Sequence, residues 1–69
     1  MARWKPKYDE LYWYISQLDL IKSWYWLDEY IDHEFYEIGN VFQSYEQAKL
    51  ALERVKETLI KFHEEQSNA

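Results

Sequence analysis

Hydrophobic and polar positions change their period along the chain. The run Glu10-Leu11-Tyr12-Trp13-Tyr14-Ile15 is made of residues that suit a pleated, half-buried surface, and it predicts a strand. Alternation sets Leu11, Trp13 and Ile15 on one face and Tyr12 and Tyr14 on the other. Ser16 to Asp19 reads as a connection, because Ser and Asp favour turns and Asp tolerates the left-handed region. Leu20 to Trp26 predicts a second strand, with Leu20, Lys22, Trp24 and Trp26 on one side and Ile21, Ser23 and Tyr25 on the other. Leu27 to Phe35 is acidic and irregular, with room for one helical turn around Ile31–Glu34. Tyr36 to Phe42 predicts a third strand holding Gly39, the only glycine, where a bulge or a close backbone approach is expected.

Beyond Ser44 the period becomes helical. Ser44 followed by Gln47 makes a capping-box pattern. Tyr45, Ala48, Leu52, Val55, Leu59 and Phe62 then recur at spacings of four and three, a single apolar stripe. Glu46, Lys49, Glu53, Lys56, Glu57 and Lys61 lie opposite, with Glu57 and Lys61 at the supportive i,i+4 spacing. A helix from Tyr45 to about Glu64 would be about 30 Å long, and a seven-residue strand reaches only about 23 Å. Its last turns, with Leu59, Ile60 and Phe62, should therefore overhang the sheet as a dimer contact. The stripe holds a/d spacing for only about three heptads, so a core face is preferred to a coiled-coil seam. The expected fold is a small two-layer β-β-β-α domain of the α+β class: a three-stranded antiparallel sheet packed on one long C-terminal helix.

Composition adds a question of burial. The chain has 69 residues with four Trp, seven Tyr and three Phe, and no Cys. A disulfide framework and a thiolate metal site are excluded. Chains this short usually need staples, and here the rings must take their place. Thirteen of the 14 aromatics fall between Trp4 and Tyr45. One helix covers one sheet face, yet both faces of the first two strands carry rings. One face should therefore stay aromatic and open, which marks an interaction site. Tyr12, Tyr14, Trp24, Tyr25 and Trp26 are the candidate partner-binding residues, since Tyr and Trp dominate interface energetics.

Charge divides the chain. Arg3, Lys5 and Lys7 give the first eight residues +3; residues 9–37 carry eight acids against Lys22, or −7; the remainder carries −1. The economical organisation is a basic arm over residues 1–8, one domain over 9–66 and a disordered tail over 67–69. An aromatic sheet face can stack bases, but phosphate binding needs a positive field, so direct nucleic-acid binding is disfavoured. Asp28, Glu29, Asp32, His33 and Glu34 read as a solvated acidic loop rather than a metal or acid–base cluster, and His33 and His63 show no ligand spacing. Ser16, Ser23 and Ser44 stand in no nucleophile motif, and one glycine builds no phosphate loop. No catalytic residue, metal or cofactor is expected. Nor is a membrane span, since no apolar run approaches about 18 residues. A cytoplasmic protein is the default.

Trp4-Lys5-Pro6, the run Tyr12-Trp13-Tyr14-Ile15, and Tyr36-Glu37-Ile38-Gly39-Asn40-Val41-Phe42 followed by Ser44, Glu46, Ala48 and Ala51 form a recognisable series. It resembles a widespread uncharacterised group of small bacteriophage and prophage proteins, over about Trp4 to Val55. In that group a Tyr-rich first strand ends in Ile, and Gly-Asn-x-Phe precedes a capped helix. Asp9 and Asp19 stand where the group commonly has turn glycines, and both can adopt turn geometry. The resemblance implies a phage or mobile-element origin, the cytoplasm of an infected bacterium, and no established chemistry. Together these features lead to an expected small acidic non-enzymatic protein that docks on a bacterial host or antiviral-defence protein and inhibits it by occlusion. The rival expectations are a phage nucleic-acid accessory protein using an aromatic sheet face, and a purely structural homodimer.

Overall fold

The computed structural model describes residues 3–67. The elements run β1 (Leu11–Gln17), β2 (Leu20–Tyr25), α1 (Tyr30–Glu37) and α2 (Tyr45–Ser67). The fold is α+β, with a two-stranded antiparallel sheet and a long C-terminal helix. Leu11 pairs with Tyr25, Tyr12 with Trp24, Trp13 with Ser23 and Tyr14 with Lys22, and the register slips between Ile15 and Gln17 beside the turn. Glu10 accepts a hydrogen bond from the Trp26 amide at 2.9 Å, which extends the ladder past the strand ends. Asp9 takes a positive φ of 66° just before β1, a turn geometry that Asp tolerates.

The third strand expected over Tyr36 to Phe42 is not formed. Tyr36 and Glu37 close α1 instead, and the pairing is reduced to one bridge in which Trp13 and Phe42 exchange hydrogen bonds of 2.9 Å each way. The physical reason lies at Gly39. Its φ of 81° is left-handed, its amide donates to Tyr36 O at 3.0 Å, and the Asn40 amide donates to Phe35 O at 2.8 Å. These are the two bonds of a Schellman helix end, with glycine at the position where a Cβ is penalised. Gly39 therefore stops a helix rather than bulging a strand. The chain then returns to β1 through a side chain: Asn40 Oδ1 accepts from the Ile15 amide at 2.8 Å and Asn40 Nδ2 donates to Ile15 O at 2.9 Å. One amide side chain thus stands in for the backbone of the missing strand.

The segment expected as an acidic loop is α1, and it changes which faces are covered. Tyr12 and Tyr14 meet α1, through the Tyr12–Asp32 hydrogen bond and a Tyr14–Phe35 stack with centroids 5.0 Å apart. Trp13, on the opposite face, meets the start of α2 through an edge-on contact with Tyr45 at 5.7 Å. A helix therefore lies on each face of the hairpin, in place of one helix on a three-stranded sheet. The fully buried apolar set is small: Tyr12, Trp26, Ala48 and Leu52.

α2 starts as expected. Ser44 Oγ accepts from the Gln47 amide at 3.2 Å, while Gln47 Oε1 reaches one residue further back, to the Gln43 amide at 3.1 Å. The helix has 23 residues, about 34 Å at its usual rise. Ala48 and Leu52 are its buried positions, and every residue from Glu53 to Ser67 is exposed. Ser67 is helical, where the tail was expected to begin; residues 68–69 of that tail and residues 1–2 of the arm lie outside the described residues.

Replacing Gly39 by Ala forces a Cβ into a left-handed conformation. The expected loss is about 1–2 kcal/mol, read as a lower urea midpoint with an unchanged slope. An unchanged midpoint would show that α1 does not end in this geometry.

Candidate interaction surface

Two groups of side chains organise the hairpin: a buried carboxylate and a ring cluster bearing two cations. Asp32 sits in the first turn of α1 and is only 1% exposed. Its Oδ1 accepts from the Tyr12 hydroxyl at 2.7 Å, and its Oδ2 accepts from the Leu27 and Glu29 amides at 3.0 and 3.1 Å. A buried carboxylate is tolerated only when its lone pairs are met in this way. The Glu29 amide is one that a helix start leaves unpaired, so the same group caps α1 and ties it to β1. Burial, and next the hydrogen bond to Asp32, push the Tyr12 hydroxyl above the ordinary tyrosine range.

The ring cluster centres on Trp26, with Tyr12 at 6.0 Å, His33 at 5.1 Å and Tyr36 at 6.2 Å between centroids. The basic arm is folded onto it. The Arg3 guanidinium lies 4.5 Å from the Tyr36 ring centre and donates to Tyr36 O at 2.7 Å. Lys5 Nζ lies 5.6 Å from the Trp26 ring and 5.5 Å from that of Tyr36, and Pro6 is buried. Two of the three arm cations are thus held on π faces. His33 Nε2 approaches Asp28 Oδ1 to 2.6 Å at an exposed position, and Asp28 carries a φ of 59°. The pair fastens the bend that leads from β2 into α1. Among the described residues, no three His, Asp or Glu side chains gather as a metal-binding group.

The expected partner-binding residues separate. Tyr12 and Trp26, at 1% and 3% exposure, are core residues and are not available to a partner. They were expected at the surface because the cover supplied by α1 was not anticipated. Tyr14 is half-buried under Phe35, whereas Trp24 is 55% exposed. Tyr12, Tyr14 and Trp24 line an open groove of about 290 Å³, whose other wall is Ile31 and Phe35. Tyr25 points to the opposite face, where it is 49% exposed. Ile31 and Phe35 were not expected in any site. Their i,i+4 spacing, between an acidic first turn and Gly39, was the available signal.

The expected dimer contact also divides. Leu59 and Phe62 lie three apart on one exposed stripe beyond the hairpin. Ile60 faces aside, where it lines a shallow surface with His63, Glu64 and Ser67. Nearer the sheet, Ile15, Ile38, Phe42, Ala51 and Val55 line a second, mainly apolar groove of about 330 Å³ that leads into the stripe. No helix of the described residues is long and apolar enough to cross a membrane. Compared with protein-family models, curated proteins and solved structures, the chain matches none.

Because the Tyr12 hydroxyl is held above its unfolded value, its contribution to stability is complete below about pH 10 and is lost as pH rises beyond it. Urea midpoints from pH 7 to 12 should fall above pH 10, and more steeply for the wild type than for Tyr12→Phe. At pH 7 the Phe variant should be weaker by about 2–3 kcal/mol, because it leaves the buried Asp32 carboxylate short of one donor. Parallel alkaline slopes for the two proteins would remove Tyr12 from the alkaline transition.

Proposed function

We propose that this chain is a small, acidic, non-enzymatic docking protein that binds a bacterial host or antiviral-defence protein and inhibits it by covering a site. The observation that carries the reading is the exposed Trp24 ring at the rim of the Tyr14–Phe35–Ile31 groove. A large ring held on a short hairpin between two helices loses little conformational freedom on binding, which is why such positions serve as anchors. The segment after the hairpin is acidic, with Asp28, Glu29, Glu34 and Glu37 exposed. This charge favours a basic partner surface and can compete there with nucleic acid. Resemblance of the Trp4–Val55 segment to small phage proteins supports the bacterial setting. Arg3 and Lys5 lie over rings, and this weakens the nucleic-acid alternative, which needs cations free to meet phosphates.

Tagged wild-type protein should capture a bacterial protein from lysate, and nuclease treatment should leave the capture intact. Trp24→Ala should weaken it about 30-fold, the scale of a loss of about 2 kcal/mol at an interface anchor. Phe62→Glu, on the overhanging helix, should leave it unchanged. Recovery of nuclease-sensitive material alone, or equal capture by the Trp24 variant, would defeat this reading.

A further inference from the structure

The two edges of the hairpin are treated differently. The outer edge of β1 is fully occupied: Trp13 exchanges two backbone bonds with Phe42, and both polar backbone groups of Ile15 meet the Asn40 side chain. Backbone groups alternate sides along a strand. Since Trp13 and Ile15 face outward, Tyr12 and Tyr14 face β2, and their partners Trp24 and Lys22 face back. Ile21, Ser23 and Tyr25 must then direct their N–H and C=O groups away from the hairpin. Among the described residues, none of these groups has a hydrogen-bond partner. Edge strands are usually blunted by Pro, by charged side chains such as Lys, or by a bulge, and here only the one Lys serves. The six residues of β2 hold one charge, Lys22, and no Pro.

The geometry points to β2 as a pairing edge for a second copy of this chain, the two β2 strands running antiparallel about a two-fold axis at Ser23. The argument is one of register. A two-fold pairing must set outward-facing residues opposite each other, which leaves centres at Lys22, Ser23 or Trp24. Centring on Lys22 places two ammonium groups directly opposite, which is destabilising. Centring on Trp24 overlaps the strands over residues 23–25 alone. Centring on Ser23 overlaps residues 21–25 and makes every cross-strand pair favourable. Tyr25 meets Ile21 of the second copy, an aromatic on a β-branched residue, and Lys22 lies beside the ring of Trp24. Ser23 faces itself with the smallest side chain of the strand. The pairing closes about six backbone hydrogen bonds and yields a four-stranded sheet, an arrangement with more independent stability than a lone hairpin. The inference goes beyond the docking reading and does not depend on it. A dimer built this way would set two Trp24 grooves on one sheet face.

The wild-type chain should elute as a dimer at high concentration by light scattering and dissociate on dilution. The amides of Ile21, Ser23 and Tyr25 should be protected from hydrogen exchange only at high concentration, whereas those of Tyr12 and Tyr14 should be protected throughout. The chain has no cysteine, so Ser23→Cys supplies a single thiol. Opposite Cα atoms in such a pair lie about 5.5 Å apart, within disulfide range. Mild oxidation should therefore cross-link Ser23→Cys and leave Leu59→Cys and Phe62→Cys monomeric. Ser23→Pro removes an outward amide without touching the ladder to β1. It should raise the dimer dissociation constant at least tenfold with unchanged circular dichroism; if that variant unfolds, the exchange and cross-linking measurements decide alone. A monomer at all concentrations overturns the inference. So do concentration-independent exchange of the three amides and preferential cross-linking through Leu59→Cys or Phe62→Cys, the latter placing the dimer on the overhanging helix.

Discussion

The Asp32 carboxylate is the contact on which the rest of the arrangement depends. It accepts from a strand hydroxyl and from two amides of the β2–α1 connection, while being almost fully buried. A carboxylate removed from water costs several kcal/mol unless its lone pairs are satisfied. Here the donors come from Tyr12, Leu27 and Glu29, three places that are brought together only when α1 lies against the hairpin. The polar contact therefore selects one placement of α1, which apolar packing alone would leave loosely defined. Once α1 is placed, Phe35 stacks on Tyr14, and His33 and Tyr36 close around Trp26. Burial of Tyr12 and Trp26 follows from the position of one acid.

That placement also reorganises the charge. The −7 of residues 9–37 is not a uniform acidic surface. Asp32 is internal and spent on hydrogen bonds, and Asp28 faces His33 at 2.6 Å. Glu29, Glu34 and Glu37 remain exposed on or next to α1. Arg3 and Lys5 sit on ring faces of the Trp26 cluster, both of them on Tyr36 of α1. Cations of the N-terminal segment and acids of the α1 region thus lie near the same aromatic cluster, and residues 3–6 pack against the domain.

The elements that were legible in the sequence are those with a single clear period. The first two strands, Glu10–Ile15 and Leu20–Trp26, were expected within two residues of β1 and β2, and the α2 start at Tyr45 followed from Ser44 and Gln47. Of α1 only one turn, around Ile31–Glu34, was legible, because Tyr30, Phe35 and Tyr36 are residues of high strand propensity in an acidic stretch. Its boundaries were nonetheless written in Asp32 and Gly39, whose roles depend on tertiary donors and a left-handed turn. Without the cover of α1 a whole sheet face would stand open. Its absence from the expected fold turned the core residues Tyr12 and Trp26 into expected contacts, while Trp24 and Tyr25, also expected as contacts, are exposed in the structure. A pattern along one strand records which residues share a face, not which face another element will cover.

Fourteen rings in 69 residues first suggest a surplus that no small fold can bury. Tyr12 and Trp26 are buried, and Trp4, Trp13, Tyr14, Phe35, Tyr36 and Phe42 are half-buried. What stays outside is Tyr8, Tyr30 and Tyr45, Trp24 at a groove rim, Tyr25 on the opposite face, and the Leu59–Phe62 stripe where α2 outruns the sheet. The hairpin residues differ from the helix stripe in one physical respect. Trp24 and Tyr25 stand on a strand whose outer backbone groups are unpaired among the described residues, so a contact there gains main-chain hydrogen bonds as well as ring burial. The stripe offers apolar area alone. A partner strand would satisfy both needs of β2 together, and this distinguishes the hairpin edge from the helix stripe.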